Sequence, residues 1–308
     1  MRLAFPILLA IAGTSSVAGC SSPRAAQTLP PIIDMHMHGT VMSDRDKSGR
    51  PLPRPCDPRP CEEKPAMFAD GDVLKATVAA MDRHHIVLGF LSDDYPSVDQ
   101  WVAKAPGRFL PSPAIPIDPK AFVPIADLRR WYQAGRFKAM GEIITQYYGI
   151  APNDERLEPY FALAEELDLP VLIHTAGLGG HVDSFRVDAG RPLLLEPVIA
   201  RHPKLRLDFE NAGYPYLDEA IAILTQHPQV YADISTINWI IPRPALYRYL
   251  QALVDAGLGS RLMFGSDQMS WPETIDIAVD AIQSAPFLTD SQKRDILYNN
   301  AARFLRLK

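Results

Sequence analysis

Pro31-Ile32-Ile33-Asp34-Met35-His36-Met37-His38-Gly39 is an apolar run that ends in two imidazoles. Side chains alternate with a period of two on an extended strand, so His36 and His38 point to one face. Neutral imidazole is the commonest protein ligand for a divalent transition metal. The stretch therefore reads as a strand whose end carries half of a metal site. The competing account is a surface strand end with two unrelated histidines, which the small number of histidines, 8 in 308 residues, disfavours.

Seven more apolar runs follow this one. With it, the expected strands are Ile32–Met35, Ile86–Leu91, Phe109–Ala114, Ala139–Ile144, Pro170–His174, Leu205–Phe209, Val230–Asp233 and Leu262–Phe264. Amphipathic stretches lie between them: Asp72–Arg83, Val98–Ala105, Phe122–Ala134, Asn153–Leu167, Leu194–Arg201, Tyr216–Gln226 and Pro244–Ala256. Trp271–Ser284 and Ser291–Leu305 close the chain. Apolar strands alternating with helices imply a parallel sheet covered on both faces. Eight such units in this length predict an α/β fold closed as a (β/α)8 TIM barrel. An open doubly wound sheet is the alternative, but no Gly-x-Gly-x-x-Gly follows the first strand. Gly177-Leu178-Gly179-Gly180 lacks a lysine and a helix start, and reads as an active-site loop rather than a phosphate cradle.

The amino terminus reads separately. Arg2 precedes the apolar run Leu3–Ala12, which has the length of a secretory h-region and is too short to span a bilayer. Val17-Ala18-Gly19-Cys20 resembles a bacterial lipobox, with Cys20 as the lipidated residue. The expected division is a signal peptide over 1–19, a flexible tether over 20–30 and the barrel over 31–308. The expected location is periplasm-facing, with the membrane met only through a lipid anchor at Cys20, and Ser21 suggests the outer membrane. Cys56 and Cys61, in a proline-rich loop, are expected to form a disulfide in an oxidising compartment. A net charge of −5 without a basic cluster excludes nucleic acid as a partner and leaves a small-molecule substrate. Oligomeric state is not encoded in any motif.

Barrel chemistry collects at the carboxyl ends of strands. Those positions hold His36 and His38, Glu142, His174, the run Asp208-Phe209-Glu210-Asn211, Asp233 and Asp267. Three imidazoles with a carboxylate and an open water position suit a catalytic divalent ion, which brings the pKa of its water towards neutrality. Asp267 is the expected acceptor and donor of the water proton. His84, His85, His202 and His227 close helices at the opposite end and are expected to be structural.

Ile33-Asp34-Met35-His36-Met37-His38, Leu172-Ile173-His174-Thr175, Met263-Phe264-Gly265-Ser266-Asp267 and Tyr298-Asn299-Asn300-Ala301-Ala302-Arg303-Phe304 together resemble the metal-dependent amidohydrolase superfamily. The nearest branch includes aminocarboxymuconate-semialdehyde decarboxylase. The resemblance implies His36, His38, His174 and Asp267 as metal ligands, with Asp267 doubling as proton shuttle. It leaves Glu142 either a ligand, bridging to a second metal, or a partner of a ligand histidine. One divalent ion is expected, Zn2+ by default, although the ligand types do not separate it from Mn2+, Fe2+ or Co2+. The chain departs from the family on the sixth strand, where Asn211 replaces a histidine. Asparagine takes up no proton near neutral pH, so Asn211 is expected to bind substrate or orient water, and a single metal is favoured. By alternation Glu210 is expected to point away from Asn211 and not to substitute, and Asp233 to cap the following loop.

The implied activity is metal-dependent hydrolysis, by metal-bound hydroxide, of an amide, lactone or ester. Decarboxylation by the same ligand set is one alternative, and a degenerate barrel that binds metal or ligand without turnover is another.

Overall fold

A computed structural model of the protein describes residues 29–39, 73–115, 123–179 and 183–307. Its strands are β1 (Ile32–Met37), β2 (Ile86–Asp93), β3 (Phe109–Pro113), β4 (Met140–Ile143), β5 (Pro170–Ile173), β6 (Arg206–Phe209), β7 (Val230–Asp233) and β8 (Leu262–Met263). All pair in parallel, in the order β1-β2-β3 and β4-β5-β6-β7-β8. Two seams join these runs. Ile115, just past β3, bridges in parallel to Ile143 on β4. On the other side the Met35 N–H donates to the Phe264 carbonyl at 2.8 Å, and the Asp267 N–H to the His36 carbonyl at 2.7 Å. The sheet is thereby closed, and the fold is the (β/α)8 barrel that the alternation of strands and helices predicts.

Helices α1 (Val73–His84), α2 (Tyr95–Lys104), α3 (Ile125–Gln133), α4 (Glu158–Glu166), α5 (Glu196–Arg201), α6 (Leu217–Gln226), α7 (Ile237–Ile240), α8 (Arg243–Asp255) and α9 (Thr274–Gln283) pack around it. The expected helix over 291–305 is one continuous helical run, in which α10 (Asp290–Arg294) passes through a wide π-helical turn over Asp295–Asn299 into α11 (Asn300–Leu305). No helix among the described residues is long and apolar enough to cross a membrane.

The core has two layers. Ile33, Met35, Phe90, Ala139, Leu172 and Met263 fill the barrel with Ala301 and Phe304 of α11, while the larger apolar cluster lies between strands and helices. The Arg206 guanidinium, at the start of β6, donates to the Phe304 carbonyl at 2.6 Å. That contact fixes α11 as a plug at the amino ends of the strands, opposite the mouth.

Two register shifts shape the mouth. On β1 the step from Asp34 to Met37 faces the shorter step from Gly89 to Leu91 on β2, so β1 carries one extra residue. Met35 accordingly sits in the inner cluster while Met37 sits in the outer one. On β4 the step from Met140 to Ile143 likewise faces Val171 to Ile173. Gly141 lies in that shift at φ +113, where an added Cβ would stand 2.1 Å from the Leu172 carbonyl oxygen, so the bulge requires glycine.

The expected structural histidines stand away from the mouth. His202 pairs with Glu158 at 2.8 Å and Glu165 at 3.2 Å, and His84 with Asp276 at 2.5 Å. Cys20, Cys56 and Cys61 lie outside the described residues.

Candidate metal centre

The carboxyl ends of β1, β4 and the segment after β8 bring four side chains to one point. His36 Nε2 and His38 Nε2 are 3.1 Å apart. Glu142 Oε2 stands 3.5 Å from the first and 3.3 Å from the second. Asp267 Oδ1 stands 3.6 and 3.0 Å from the same two nitrogens. The backbone places Asp267 here through an unusual turn. Its φ is +50, and Gly265 before it packs so closely that an added Cβ would meet His36 Cβ and Ser235 Cβ at 3.0 Å.

Hydrogen bonds behind these groups fix which atoms face forward. His38 Nδ1 is 3.0 Å from the Ser92 carbonyl, which can only accept, so Nδ1 carries the proton and Nε2 presents a lone pair. His36 Nδ1 is held by Ser235 Oγ at 2.8 Å. Thr236 Oγ1 donates to Asp267 Oδ2, leaving Oδ1 buried without a hydrogen-bond partner. Ser92 Oγ accepts from the Glu142 N–H, and Ser112 Oγ donates to the Gly141 carbonyl, which pins the β4 bulge. Lone pairs on imidazole and carboxylate aimed at one another repel unless a cation or protons lie between them. Two imidazoles and two carboxylates so arranged are a donor set that suits a divalent transition metal.

His174, expected in the same set, reaches it only through Glu142. Its Nδ1 is 2.9 Å from Glu142 Oε1, the oxygen turned away from His36 and His38. Its Nε2 is 3.1 Å from the Leu178 carbonyl. Glu142 thus stands between two groups of donors. His36, His38 and Glu142 form one, and Glu142, His174 and Glu210 another; in each, the donor atoms lie within 4.8 Å of one another.

The sixth strand differs from its expected reading. Leu207 and Phe209 face the outer cluster, so Asp208 and Glu210 share the inward face. Glu210 is fully buried with neither oxygen hydrogen-bonded, and its Oε1 is 3.8 Å from His36 Nδ1. Asn211, expected to meet substrate or water, instead turns back at φ +59. Its Nδ2 donates to the Thr175 carbonyl at 3.2 Å, and its Oδ1 accepts from Ser235 Oγ at 3.4 Å. The inward residue is Glu210 because the strand ends at Phe209 and the left-handed residues Asn211 and Ala212 reverse the chain immediately after it. The alternation Leu207-Asp208-Phe209-Glu210 carried that signal in the sequence. Asp233 does two things: Oδ1 accepts from the Ser235 N–H at 2.8 Å, capping the loop as expected, while Oδ2 lies 3.7 Å from His36 Nδ1.

Six carboxylates are buried at or near this end of the barrel: Asp34, Glu142, Asp208, Glu210, Asp233 and Asp267; no lysine or arginine is buried among the described residues. Burial works against charge on His38, yet the neighbouring Asp267 and Glu142 carboxylates push its pKa up to about 9. His36 is raised well above its ordinary value, burial being outweighed by Glu210 and Asp267. Burial, reinforced by repulsion from Glu142, holds Glu210 well above the carboxylate range. Burial also tends to raise Glu142, but hydrogen bonds from His174 and His36 hold it well below that range. Such a cluster gathers positive charge wherever it can, which again fits a cation.

Aromatic side chains roof the cluster. The Tyr147 ring meets His174 edge-on at 5.0 Å and Phe185 at 5.1 Å. Trp239 Nε1 donates to the Ser266 carbonyl at 2.7 Å, and its ring lies 6.3 Å from that of Trp271. Tyr148 is exposed.

Protein fluG of Emericella nidulans is 26% identical over 153 residues, which covers 45% of this chain but only 17% of that protein. The chain thus spans a small part of the curated relative it matches. Among solved structures, a probable 2-pyrone-4,6-dicarboxylic acid hydrolase from Acinetobacter baumannii, with citric acid bound, superposes with a TM-score of 0.63. The match covers 90% of this chain and 100% of that one at 13% identity. A 5-carboxyvanillate decarboxylase from Novosphingobium aromaticivorans, complexed with manganese, gives 0.54 at 18% identity, covering 77% and 81%. At these identities the likeness is one of fold. The amidohydrolase family profile matches residues 33–307, from the second residue of β1 to the residue after α11's cap, and the chain belongs to the amidohydrolase family.

Proposed function

We propose that the protein is a metal-dependent hydrolase that cleaves an ester, lactone or amide. One observation carries the reading: His36 Nε2 and His38 Nε2 lie 3.1 Å apart, and each stands 3.0 to 3.6 Å from one carboxylate oxygen of Glu142 and one of Asp267. These four side chains would hold a divalent ion. When bound, such an ion makes water a stronger acid and polarises a carbonyl oxygen.

The chain's own residues do the rest. Ser235 and the Ser92 carbonyl hold the two imidazole planes, so that neither ring has to reorganise during turnover. Asp267 Oδ1, without a hydrogen-bond donor of its own, accepts the proton of the attacking water as the new C–O bond forms. It then delivers that proton to the leaving oxygen or nitrogen as the old bond breaks. Tyr147 and Phe185 pack against His174, the partner of Glu142, and shield it from bulk solvent.

Decarboxylation is the second reading, supported by the manganese-bound decarboxylase among the fold's neighbours. The hydrolase reading is preferred because Asp267 is placed to take a proton from water as well as to give one up, whereas a decarboxylase needs only a proton delivered to the carbon that loses CO2. The test is elemental analysis of the purified protein together with turnover of a panel of lactones, esters, amides and aromatic acids. Stoichiometric acid and alcohol or amine supports hydrolysis; CO2 release supports the lyase; failure to retain or bind any divalent ion overturns both.

A further inference from the structure

We infer that Gln268 is a positioning residue whose side-chain amide sets the spacing of His38 and Asp267, and through it the shape of the cation site. The inference rests on the reading of His36, His38, Glu142 and Asp267 as that site. It adds a residue that works on backbone rather than on the donor atoms.

Gln268 acts where the ladder of the barrel runs out. On one side β1 pairs with β2 as far as Met37, opposite Leu91. On the other, β8 is two residues long, and backbone bonding across that seam reaches the Asp267 N–H and the His36 carbonyl, 2.7 Å apart. Asp267 is left-handed at φ +50, which ends the extended run beside β1 before His38 is paired. The Gln268 side chain takes over there. Its Oε1 accepts from the His38 N–H at 3.1 Å, and its Nε2 donates to the His38 carbonyl at 2.6 Å. A carboxamide carries the acceptor and the donor of a peptide group, so it replaces a rung of the missing strand, and only one orientation of the amide satisfies both partners. Gln268 is itself fully buried, and its carbonyl accepts from the Trp271 N–H at 2.6 Å, which anchors the turn from the other side.

The consequence falls on the donor atoms. His38 Nε2 and Asp267 Oδ1 are 3.0 Å apart. The Ser92 carbonyl fixes how the His38 ring is turned, and Thr236 fixes the Asp267 carboxylate, but neither ties the two residues to each other. Gln268, next to Asp267 in the chain and bonded twice to His38, does so.

Co2+ titration of the metal-depleted full-length protein, read by calorimetry and by visible absorption, tests the inference, because the ligand-field bands report the shape of the site. Gln268→Met keeps the length and bulk of the side chain and removes both bonds. Its Co2+ affinity should fall roughly 10- to 100-fold, with displaced bands. Asn300 supplies the control. It too is fully buried and holds backbone through its amide, donating to the Gly259 and Leu262 carbonyls at 2.9 and 2.6 Å, but at the closed end of the barrel. Asn300→Leu should lower the melting temperature and leave affinity and bands as in the parent. An equal displacement in N300L would mark a general loss of stability and overturn the inference. If Q268M fails to fold, Q268N, whose amide is one methylene too short to span both groups, takes its place with the same expected result. A parent that binds Co2+ and a Q268M that matches it in affinity and bands overturn the inference alone. An unmodified protein that binds no Co2+ overturns the cation site and the inference with it.

Discussion

Asp267 divides its work between two oxygens. Thr236 occupies Oδ2, and Oδ1 faces His38 Nε2 at 3.0 Å. Replacing Asp267 by Asn keeps the shape and the acceptor for Thr236 but removes the proton-accepting atom. Turnover should fall roughly 10³-fold with the thermal melt close to that of the parent; near-normal activity would dismiss the shuttle. Gly141 is the opposite kind of residue, needed for backbone rather than chemistry. Gly141→Ala drives a Cβ to 2.1 Å from a carbonyl oxygen at φ +113, and should cost at least about 2 kcal/mol in urea unfolding. At this scale the sequence was partly legible. His36, His38 and Asp267 stand together because two of them share a strand and the third follows the strand that closes the barrel. Glu210 is the exception: alternation counted from Asn211, the position of the family's histidine, turns it outward, whereas alternation counted from the apolar pair Leu207 and Phe209 turns it inward, as the structure has it. Which oxygen of Glu142 faces which imidazole depends on a bulge, and no residue pattern announces it.

Element boundaries follow the apolar runs closely, since a parallel strand buried on both sides has to be apolar along its length. What the runs do not encode is register. The extra residue in β1 and in β4 alters which side chains look inward at the mouth, and it comes from packing between neighbours. The C-terminal segment shows the same limit: the helix is continuous as its pattern implies, but the pattern does not announce the wide π-helical turn over Asp295–Asn299, with Phe304 entering the barrel while Ile296 stays in the outer core. Phe304 fills the closed end of the barrel beside Ile33, Met35 and Phe90. Phe304→Ala should therefore cost about 3–5 kcal/mol in denaturant unfolding. At a temperature where the variant is folded, its ion binding should be unchanged, because plug and mouth sit at opposite ends of the strands. A variant that lost ion affinity while folded would contradict that separation.

The whole barrel encloses six buried carboxylates and no buried lysine or arginine among the described residues, so its stability is tied to whatever positive charge enters. In metal-depleted protein only protons can serve. Burial pushes the Asp34 carboxyl from its ordinary 3.8 up to about 7, and Asp267 and Glu142, against burial, push His38 from 6.5 up to about 9. Both groups therefore hold a proton in the folded chain that the unfolded chain has released. For each, the stabilisation is complete below the unfolded pKa and is lost as pH rises through the folded value. Asp34 acts between about 4 and 7, His38 between about 6.5 and 9, and the two add with the same sign. Glu142 and Asp267, held low by the imidazoles, act only in more acidic solution. Metal-depleted protein should consequently melt at progressively lower temperature from pH 5 to pH 9. A divalent ion reverses this, because it replaces the protons and binds best once they have gone. At a hundred times its dissociation constant, an ion that binds only the folded state adds about 2.7 kcal/mol. For a chain of this size that raises the melting temperature by roughly 4 °C, and the gain should be larger at pH 8 than at pH 5.5. Calorimetric melts with and without Mn2+ or Zn2+ at those two pH values make the comparison. A metal-induced rise that is equal at both, or a metal-free protein that gains stability with pH, would show that the buried carboxylates are not balanced by exchangeable cations.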